Sequence, residues 1–260
     1  MSKILAHVGG SRRYRSMLRH LYQQIPTSLH TDNLHNKIYD LSYVKKPDIL
    51  LFPISEYTQE IHTFISEKYQ NIKPLIVMDR SVSQPELLGF LQNTASSKFV
   101  VDSQTQHELS SAISYDYLYD DLIFHKLNNI ERNTKIAVSL SADNEKNHKY
   151  LDQYLFPNNS RIPGLVLFNN PEFKHPQNIG IYNEPDLNFV LNTYSYYVDM
   201  DNEFGVEAAV CNIIQLDKEK PLDECIKNQL WDTRYSNHNL EQYKCSSFIS
   251  DKLLPFLGSK

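Results

Sequence analysis

The stretch that decides the fold is Asp48–Ile54, DILLFPI, a nearly continuous apolar run. Such runs are typical of parallel strands that helices cover on both faces, whereas a half-exposed strand alternates apolar and polar residues. The next segment, Tyr57–Tyr69, carries apolar residues at Ile61, Phe64 and Ile65 with helical spacing. A buried strand followed by an amphipathic helix predicts an α/β fold with a parallel sheet.

The same alternation extends from this run in both directions. Upstream, Ile4–Val8 is a predicted strand, and the Gly-Gly turn at 9–10 ends it. A helix is predicted over Ser11–Gln24, with Ser11 as its N-cap. Downstream, the predicted strands are Pro74–Met78, Lys98–Val101 and Leu122–Phe124, and the predicted helices are Pro85–Leu91 and Gln104–Ile113. A strand, a Gly-rich turn and a helix form the opening unit of a Rossmann-like half.

The alternation restarts after a polar stretch, Lys126–Asn133, which is the best candidate for a linker. Beyond it, the predicted strands are Lys135–Leu140, Leu165–Phe168, Ile179–Tyr182, Tyr196–Met200 and Ile214–Leu216. The predicted helices are Asn144–Leu155, Asp186–Leu191, Phe204–Ile213, Asp223–Trp231 and Leu240–Leu257. We therefore expect two parallel-sheet domains, residues 1–128 and 134–260. One continuous sheet is the alternative, because the linker is short and contains neither Pro nor Gly.

Charge and cysteine content narrow the class of protein. The net charge of −5 argues against a dedicated nucleic-acid binder, although a local basic groove around residues 12–20 stays open. The three cysteines fit no metal or redox spacing, which favours a reducing compartment. No apolar run approaches the roughly 20 residues of a membrane span, and the N-terminus lacks the apolar core of a signal peptide. We expect a cytoplasmic protein of a bacterium or a phage-infected cell, without a transmembrane segment.

Polar residues follow the predicted strands, at the edge where parallel sheets bind ligands. In the turn after the first predicted strand, Gly9 and Gly10 would let a ligand come close to the backbone. The amides of the next helix, with its arginines, suit an anion. The turn is not G-x-G-x-x-G and no acidic residue closes a matching second strand, which disfavours NAD. The residues expected to bind a phosphate are Gly9, Gly10, Ser11, Arg12 and Arg13; a plain tight turn before a solvated helix is the alternative.

The segment with the most chemical content is Tyr196–Asn212, YYVDMDNEFGVEAAVCN. A predicted strand ends at Asp199, an acidic turn follows, and Phe204-Gly205 leads into a helix. Gly205 would let a ligand approach the helix start, where the dipole favours a pyrophosphate. Glu207, on the first helical turn, could accept two ribose hydroxyls. The segment therefore predicts a nucleotide site.

This segment resembles the donor-binding region of GT-B-type glycosyltransferases, which carry an acid, Phe-Gly, and Glu-Ala on the next helix. Seven residues separate the two acids in that family, as they separate Asp199 and Glu207 here, with Asp in place of the usual first Glu. Glu203 is the alternative first acid; Phe-Gly is then close to register, but the second Glu comes four residues early. The resemblance implies two Rossmann-like domains facing a cleft, with the closing C-terminal helix packing back on the first.

The resemblance also implies roles for particular residues. Glu207 would hold the donor ribose, the backbone at Phe204–Val206 would face the pyrophosphate, and Asp199 or Glu203 would contact the sugar. The implied phosphate contacts are Ser139, Ser141 and Lys146, and the implied nucleobase contacts are Tyr182 and Asn183. A base for an inverting reaction would be Asp79, Asp102 or Glu56, and the turn at Gly9–Arg13 would meet the acceptor. Neither a metal nor another cofactor is implied, since the helix dipole and basic side chains stabilise the leaving diphosphate.

The predicted function is transfer of a sugar from a nucleotide-sugar donor to a hydroxyl acceptor. The acceptor would be a glycan, a lipid-linked sugar or a hydroxylated base in phage DNA. For DNA, the cluster Arg12–His20 would line a groove that contacts phosphates. Two alternatives stay open: a two-lobed, non-catalytic ligand-binding protein, and a degenerate glycosyltransferase-like subunit that binds a partner.

Overall fold

The protein is described by a computed structural model that covers most of the chain. The described residues are 4–7, 9–25, 29–32, 48–68, 73–77, 98–102, 112–115, 117–140, 145–151, 165–168, 178–180, 183–200, 203–232, 234–235 and 238–258. The chain divides into two compact units, which we call unit 1 (Met1–Asp120 with Glu241–Lys260) and unit 2 (Asp121–Leu240). The predicted linker therefore lies inside unit 2. The helix predicted at Pro85–Leu91 lies outside the described residues.

Unit 1 is built on a parallel sheet that has six strands in the described part of the chain. The strands are β1 (Ile4–His7), β2 (Leu29–Asp32), β3 (Ile49–Pro53), β4 (Lys73–Val77), β5 (Lys98–Asp102) and β6 (Ala112–Tyr115). Their order is β2-β1-β3-β4-β5-β6. Before the C-terminal segment, its described helices are α1 (Arg12–Gln24) and α2 (Gln59–Lys68), with a 3-10 turn at Ile54–Glu56. Every residue of β3 is buried, as its continuous apolar sequence predicts.

Unit 2 has its own parallel sheet, with four strands among the described residues. They are β7 (Asn133–Ser139), β8 (Leu165–Phe168), β9 (Tyr194–Asp199) and β10 (Ile214–Gln215), in the order β10-β9-β7-β8. The helices are α3 (Glu145–Tyr150), α4 (Glu184–Thr193), α5 (Gly205–Val210) and α6 (Leu222–Asn228). The prediction of an α/β protein with two Rossmann-like parallel sheets is confirmed, and the alternative of one continuous sheet is wrong. The cleft between the domains stays a prediction.

The C-terminal segment completes unit 1. It comprises a 3-10 turn (Leu240–Tyr243), α7 (Cys245–Phe248), a π-helical turn (Ile249–Leu253) and α8 (Leu254–Gly258). The Cys245 N–H donates to the Tyr119 carbonyl, 3.0 Å away. Phe248 and Ile249 share a core with Tyr14 and Met17 of α1. This apolar packing stabilises the C-terminal segment. The single helix predicted over Leu240–Leu257 is thus a series of shorter helical turns.

The start of α1 is fixed as its sequence predicts. The Ser11 hydroxyl accepts the Tyr14 N–H at 3.3 Å, so the predicted N-cap is confirmed. The Tyr14 hydroxyl reaches the carbonyls of His7 and Leu51, at 2.9 and 3.0 Å, which ties the helix to β1 and β3. Burial raises the pKa of this phenol well above its ordinary value.

Three predicted elements differ from the structure. The strand predicted at Leu122–Phe124 is a turn. In the described part of unit 1 the last strand is β6, which includes the end of the helix predicted over Gln104–Ile113. At Ile179–Tyr182 the described residues, 179–180, are not in a strand; Asn178 makes a single bridge to Leu167. A short apolar run by itself does not specify whether its residues form a strand, because periodicity over so few positions is ambiguous.

The structure adds a strand that the sequence analysis missed. β2, with the sequence LHTD, lacks the apolar run or alternation by which strands are predicted. It pairs with β1 and ends at Asp32, so an acidic residue does close the strand beside the Gly-Gly turn, contrary to the prediction. None of the helices in the described ranges has the length and apolar character required to cross a membrane.

Candidate functional site

The topology of unit 2 places a candidate site between β7 and β9. The chain passes from β7 to β8 on one side and then returns to β9 on the other side. In open parallel sheets, ligands bind beyond the carboxyl ends of the strands where the winding reverses. Ser139 and Asp199 end β7 and β9 and are directly paired in register. Two of the predicted site residues therefore lie at the switch point of unit 2.

Asp199 organises the turn that follows β9. Its Oδ1 accepts the Glu203 N–H at 3.0 Å, and its Oδ2 accepts the Phe204 N–H at 3.2 Å. The Ser139 hydroxyl also donates to Oδ1, at 3.3 Å, and lies 2.8 Å from the Tyr197 hydroxyl. Both carboxylate oxygens therefore hold groups of the protein itself. We call Asp199, Glu203 and Phe204 the acidic turn.

The Asp199 carboxyl of the acidic turn has an unusually high pKa. Asp199 is 3% exposed. Burial raises its pKa to about 6, and the nearby Glu207 carboxylate adds to the rise, whereas the amides of Glu203 and Phe204 and the charge of Arg234 oppose it. Asp199 therefore changes protonation close to neutral pH, where most aspartates stay ionised.

Helix α5 is shorter than predicted and tightly enclosed. It has six residues, Gly205–Val210, and Glu207 on its first turn is 0% exposed. The Gln215 side chain donates to the Gly205 carbonyl at 2.9 Å and fixes the helix start to β10. A Cβ on Gly205 would lie 2.5 Å from Cε2 of Tyr235 and 3.3 Å from Asp199 Oδ2. Glycine is therefore required at this position because the Tyr235 ring packs directly against it.

Of the other residues predicted to bind the donor, the structure describes only some. Asn183 is the N-cap of α4, and its side-chain oxygen accepts the Asp186 N–H at 2.9 Å. Glu203 is half-buried, and Lys146 lies in α3. Ser141 and Tyr182 lie outside the described residues. The structure brings together Ser139, Asp199, Glu203, Phe204, Gly205 and Glu207; the roles of all these residues stay predictions.

The predicted phosphate-binding residues of unit 1 follow β1, beside a second switch point between β1 and β3. Gly9 and Gly10 follow β1 with φ of 155° and 74°. Arg12 donates to the Tyr117 hydroxyl at 3.5 Å, and the Arg13 guanidinium lies 4.6 Å from the centre of the same ring. Of the predicted bases, Glu56 ends the 3-10 turn after β3, Asp102 ends β5, and Asp79 lies outside the described residues.

Sequence reasoning missed three residues near the acidic turn: Lys218, Arg234 and Tyr235. They follow β10 and α6, outside the segment whose pattern resembles a donor site, and only chain folding brings them close to β9. Among the described residues, no cluster of three or more His, Cys, Asp or Glu could hold a metal ion.

Comparisons with known proteins give a loose structural likeness. No protein-family model matches the chain, and no curated protein matches it significantly. One similar solved structure is assigned as a UDP-N-acetylglucosamine 2-epimerase from Listeria monocytogenes, with a TM-score of 0.47, 11% identity, and coverage of 100% of this chain and 89% of that one. Another is S. aureus MnaA with UDP, with a TM-score of 0.48, 13% identity, and coverage of 98% and 90%. With both TM-scores below 0.5, neither likeness identifies a ligand or a reaction for this chain.

Proposed function

We propose that this chain is a glycosyltransferase whose unit 2 binds a nucleotide-sugar donor at the carboxyl ends of β7 and β9. In the reaction, the bond between the sugar C1 and the diphosphate oxygen breaks, and an acceptor hydroxyl oxygen bonds to C1. The acceptor proton passes to a base, and the nucleoside diphosphate leaves. The observation that carries the proposal is the acidic turn at a topological switch point, followed directly by Glu207 on α5.

The hydrogen bonds of the acidic turn support different roles for Asp199 and Glu203. Both oxygens of Asp199 hold backbone N–H groups. We therefore assign Asp199 the role of holding the turn, and Glu203, which is half-buried, the contact with the sugar. Glu207 is proposed to accept the ribose hydroxyls. No cofactor is proposed besides the nucleotide sugar as co-substrate.

Charge pairing in unit 1 supports a glycan or lipid-linked acceptor over DNA. Within the basic cluster, Arg19 and His20 both bind the buried carboxylate of Asp120, with Arg19 Nε 2.7 Å and His20 Nε2 3.0 Å from its oxygens. The Asp120 carboxylate neutralises part of the basic charge that this cluster would offer to a DNA backbone. If the acceptor is DNA, retention on a duplex will fall steeply as salt rises; a response that is flat with salt would leave the glycan acceptor as our proposal.

The first test is binding of UDP-, GDP- and CDP-linked sugars, measured as thermal stabilisation. We expect one nucleotide series to raise the melting temperature by several degrees. Glu207→Gln should weaken binding of that series about tenfold or more, because neutral amides make weaker hydrogen bonds than carboxylates. Glu224→Gln, on the exposed face of α6, is the matched control and should bind like the wild type.

Product analysis then separates transfer from other activities. Release of nucleoside diphosphate that depends on an added acceptor, followed by mass spectrometry, is the expected result. Binding without turnover would favour the non-catalytic, two-lobed alternative. Conversion of the donor to an epimer with its diphosphate retained would contradict transfer, and a protein that no nucleotide stabilises would contradict the donor site itself.

A further inference from the structure

Two cationic side chains lie beside the carboxyl end of β9. Lys218, in the turn after β10, donates from Nζ to the carbonyl of Met200 at 2.9 Å, one residue beyond Asp199. Arg234, which follows α6, binds both oxygens of Asp232, with its Nε 3.0 and 2.8 Å from them. These two cations belong to different connections of unit 2, and the fold brings both to this strand end.

Asp232 links the two cations electrostatically. Burial would raise the pKa of this carboxyl, but the hydrogen bonds from Arg234, and the charges of Arg234 and Lys218, hold it below its ordinary value. Asp232 hydrogen bonding raises the pKa of Arg234 in turn, and the charge of Asp199 contributes to that rise. Arg234 therefore interacts with Asp232 directly and with the acidic turn through space.

Tyr235 fixes the place of Arg234 relative to α5. The tyrosine ring lies against Gly205, where a Cβ would come within 2.5 Å of Cε2. The Arg234 guanidinium lies 5.9 Å from the centre of that ring. Its side chain remains 42% exposed despite the pairing with Asp232. The cation is thus positioned by a half-buried aromatic ring and remains accessible to a ligand.

The charge of the site requires such cations if it binds a nucleotide sugar. Asp199, Glu203 and Glu207 would repel a diphosphate, whose own charges are negative. A guanidinium offers a planar fork of N–H donors that matches phosphate oxygens, and an ammonium adds a compact charge. Lys218 and Arg234 supply both kinds of cation.

We propose that Lys218 and Arg234 bind the diphosphate of the donor, while Asp232 and Tyr235 position the guanidinium for it. This role rests on the proposed function, and it adds two residues that lie outside the segment resembling a glycosyltransferase. The diphosphate would share Arg234 with Asp232, and Lys218 with the Met200 carbonyl. The same cations would stabilise the diphosphate as it leaves.

The test measures binding of inorganic pyrophosphate, nucleoside diphosphates and nucleoside monophosphates by calorimetry. Lys218→Met and Arg234→Gln should each weaken binding of pyrophosphate and of the diphosphates about tenfold or more, and weaken the monophosphates less. Lys220→Met is the matched control, since Lys220 lies in the same turn and pairs with Asp217 instead. Fluorescence of Trp231, the chain's one tryptophan, checks that unit 2 of each variant is folded.

The outcomes separate this role from the proposed function. If the wild type binds nucleoside diphosphates and both variants keep its preference for diphosphate over monophosphate, the assignment of Lys218 and Arg234 is wrong and the donor site stands. If pyrophosphate binds through both residues but no nucleotide binds, the cation pair stands and the transferase proposal is wrong. A wild type that binds neither pyrophosphate nor any nucleotide overturns both.

Discussion

Gly10→Ala is expected to lower the free energy of unfolding of unit 1 by about 3 kcal/mol. Gly10 has φ of 74°, a conformation that costs an L-residue about 1 kcal/mol or more. A Cβ there would also lie 2.5 Å from Cβ and 2.7 Å from Cγ of Pro53. The proline ring cannot turn aside, and Pro53 is buried at the end of β3. The overlap must therefore move α1 or β3.

Gly180→Ala is the matched control for Gly10→Ala. Gly180 has φ of 80°, but a Cβ there would meet nothing within 4 Å. It should cost about 1 kcal/mol, from the backbone conformation alone. Hydrogen exchange followed by mass spectrometry measures each unit separately, which matters because the two units need not unfold together. Equal losses in the two variants would show that Pro53 does not restrict Gly10.

The second large effect is the dependence of stability on pH that Asp199 causes. Its pKa rises from an ordinary 3.8 to about 6 on folding, so the folded state binds the proton more tightly than the unfolded state. A contribution present below pH 3.8 is therefore lost as pH rises through about 6. The shift corresponds to a loss on the order of 3 kcal/mol. Asp199→Asn, which cannot ionise, should not show this loss.

The measurement compares urea unfolding of the wild type and Asp199→Asn from pH 4 to 7, read by Trp231 fluorescence in unit 2. The wild type should lose stability relative to the variant as pH rises. Asp232→Asn is the control: the pKa of Asp232 is lowered from 3.8 on folding, so its contribution is lost only below this pH range, and the variant should keep the wild-type loss between pH 4 and 7. Parallel curves for the wild type and Asp199→Asn would contradict a raised pKa at Asp199.

Glu207→Gln provides an internal check on the cause of the Asp199 shift. Burial is the main reason for the raised pKa, and the charge of Glu207 adds to it. Removing that charge should lower the pKa of Asp199 and reduce the loss of stability between pH 4 and 7, without abolishing it. An unchanged pH dependence would show that the charge of Glu207 does not contribute to the raised pKa of Asp199, and that burial alone causes it.

Much of the fold was predictable because the signals are local. Within the apolar run at Asp48–Ile54, the residues Ile49–Pro53 form β3, which is fully buried, and the serine before α1 caps that helix. β2 was not predictable in this way, since its four residues LHTD owe their strand conformation to pairing with β1.

The sequence by itself determined an α/β protein with two parallel sheets, and it located the acidic segment after β9, because strand burial, helix spacing and turn residues are encoded within a few positions. Only the tertiary structure decided what surrounds that segment. The contact of Ser139 with Asp199 joins residues 60 positions apart. The approach of Tyr235 to Gly205, and of Lys218 to Met200, likewise requires the chain to return to β9. Such contacts also set the protonation of Asp199, since a pKa depends on burial and neighbouring charges, which no local pattern of residues specifies.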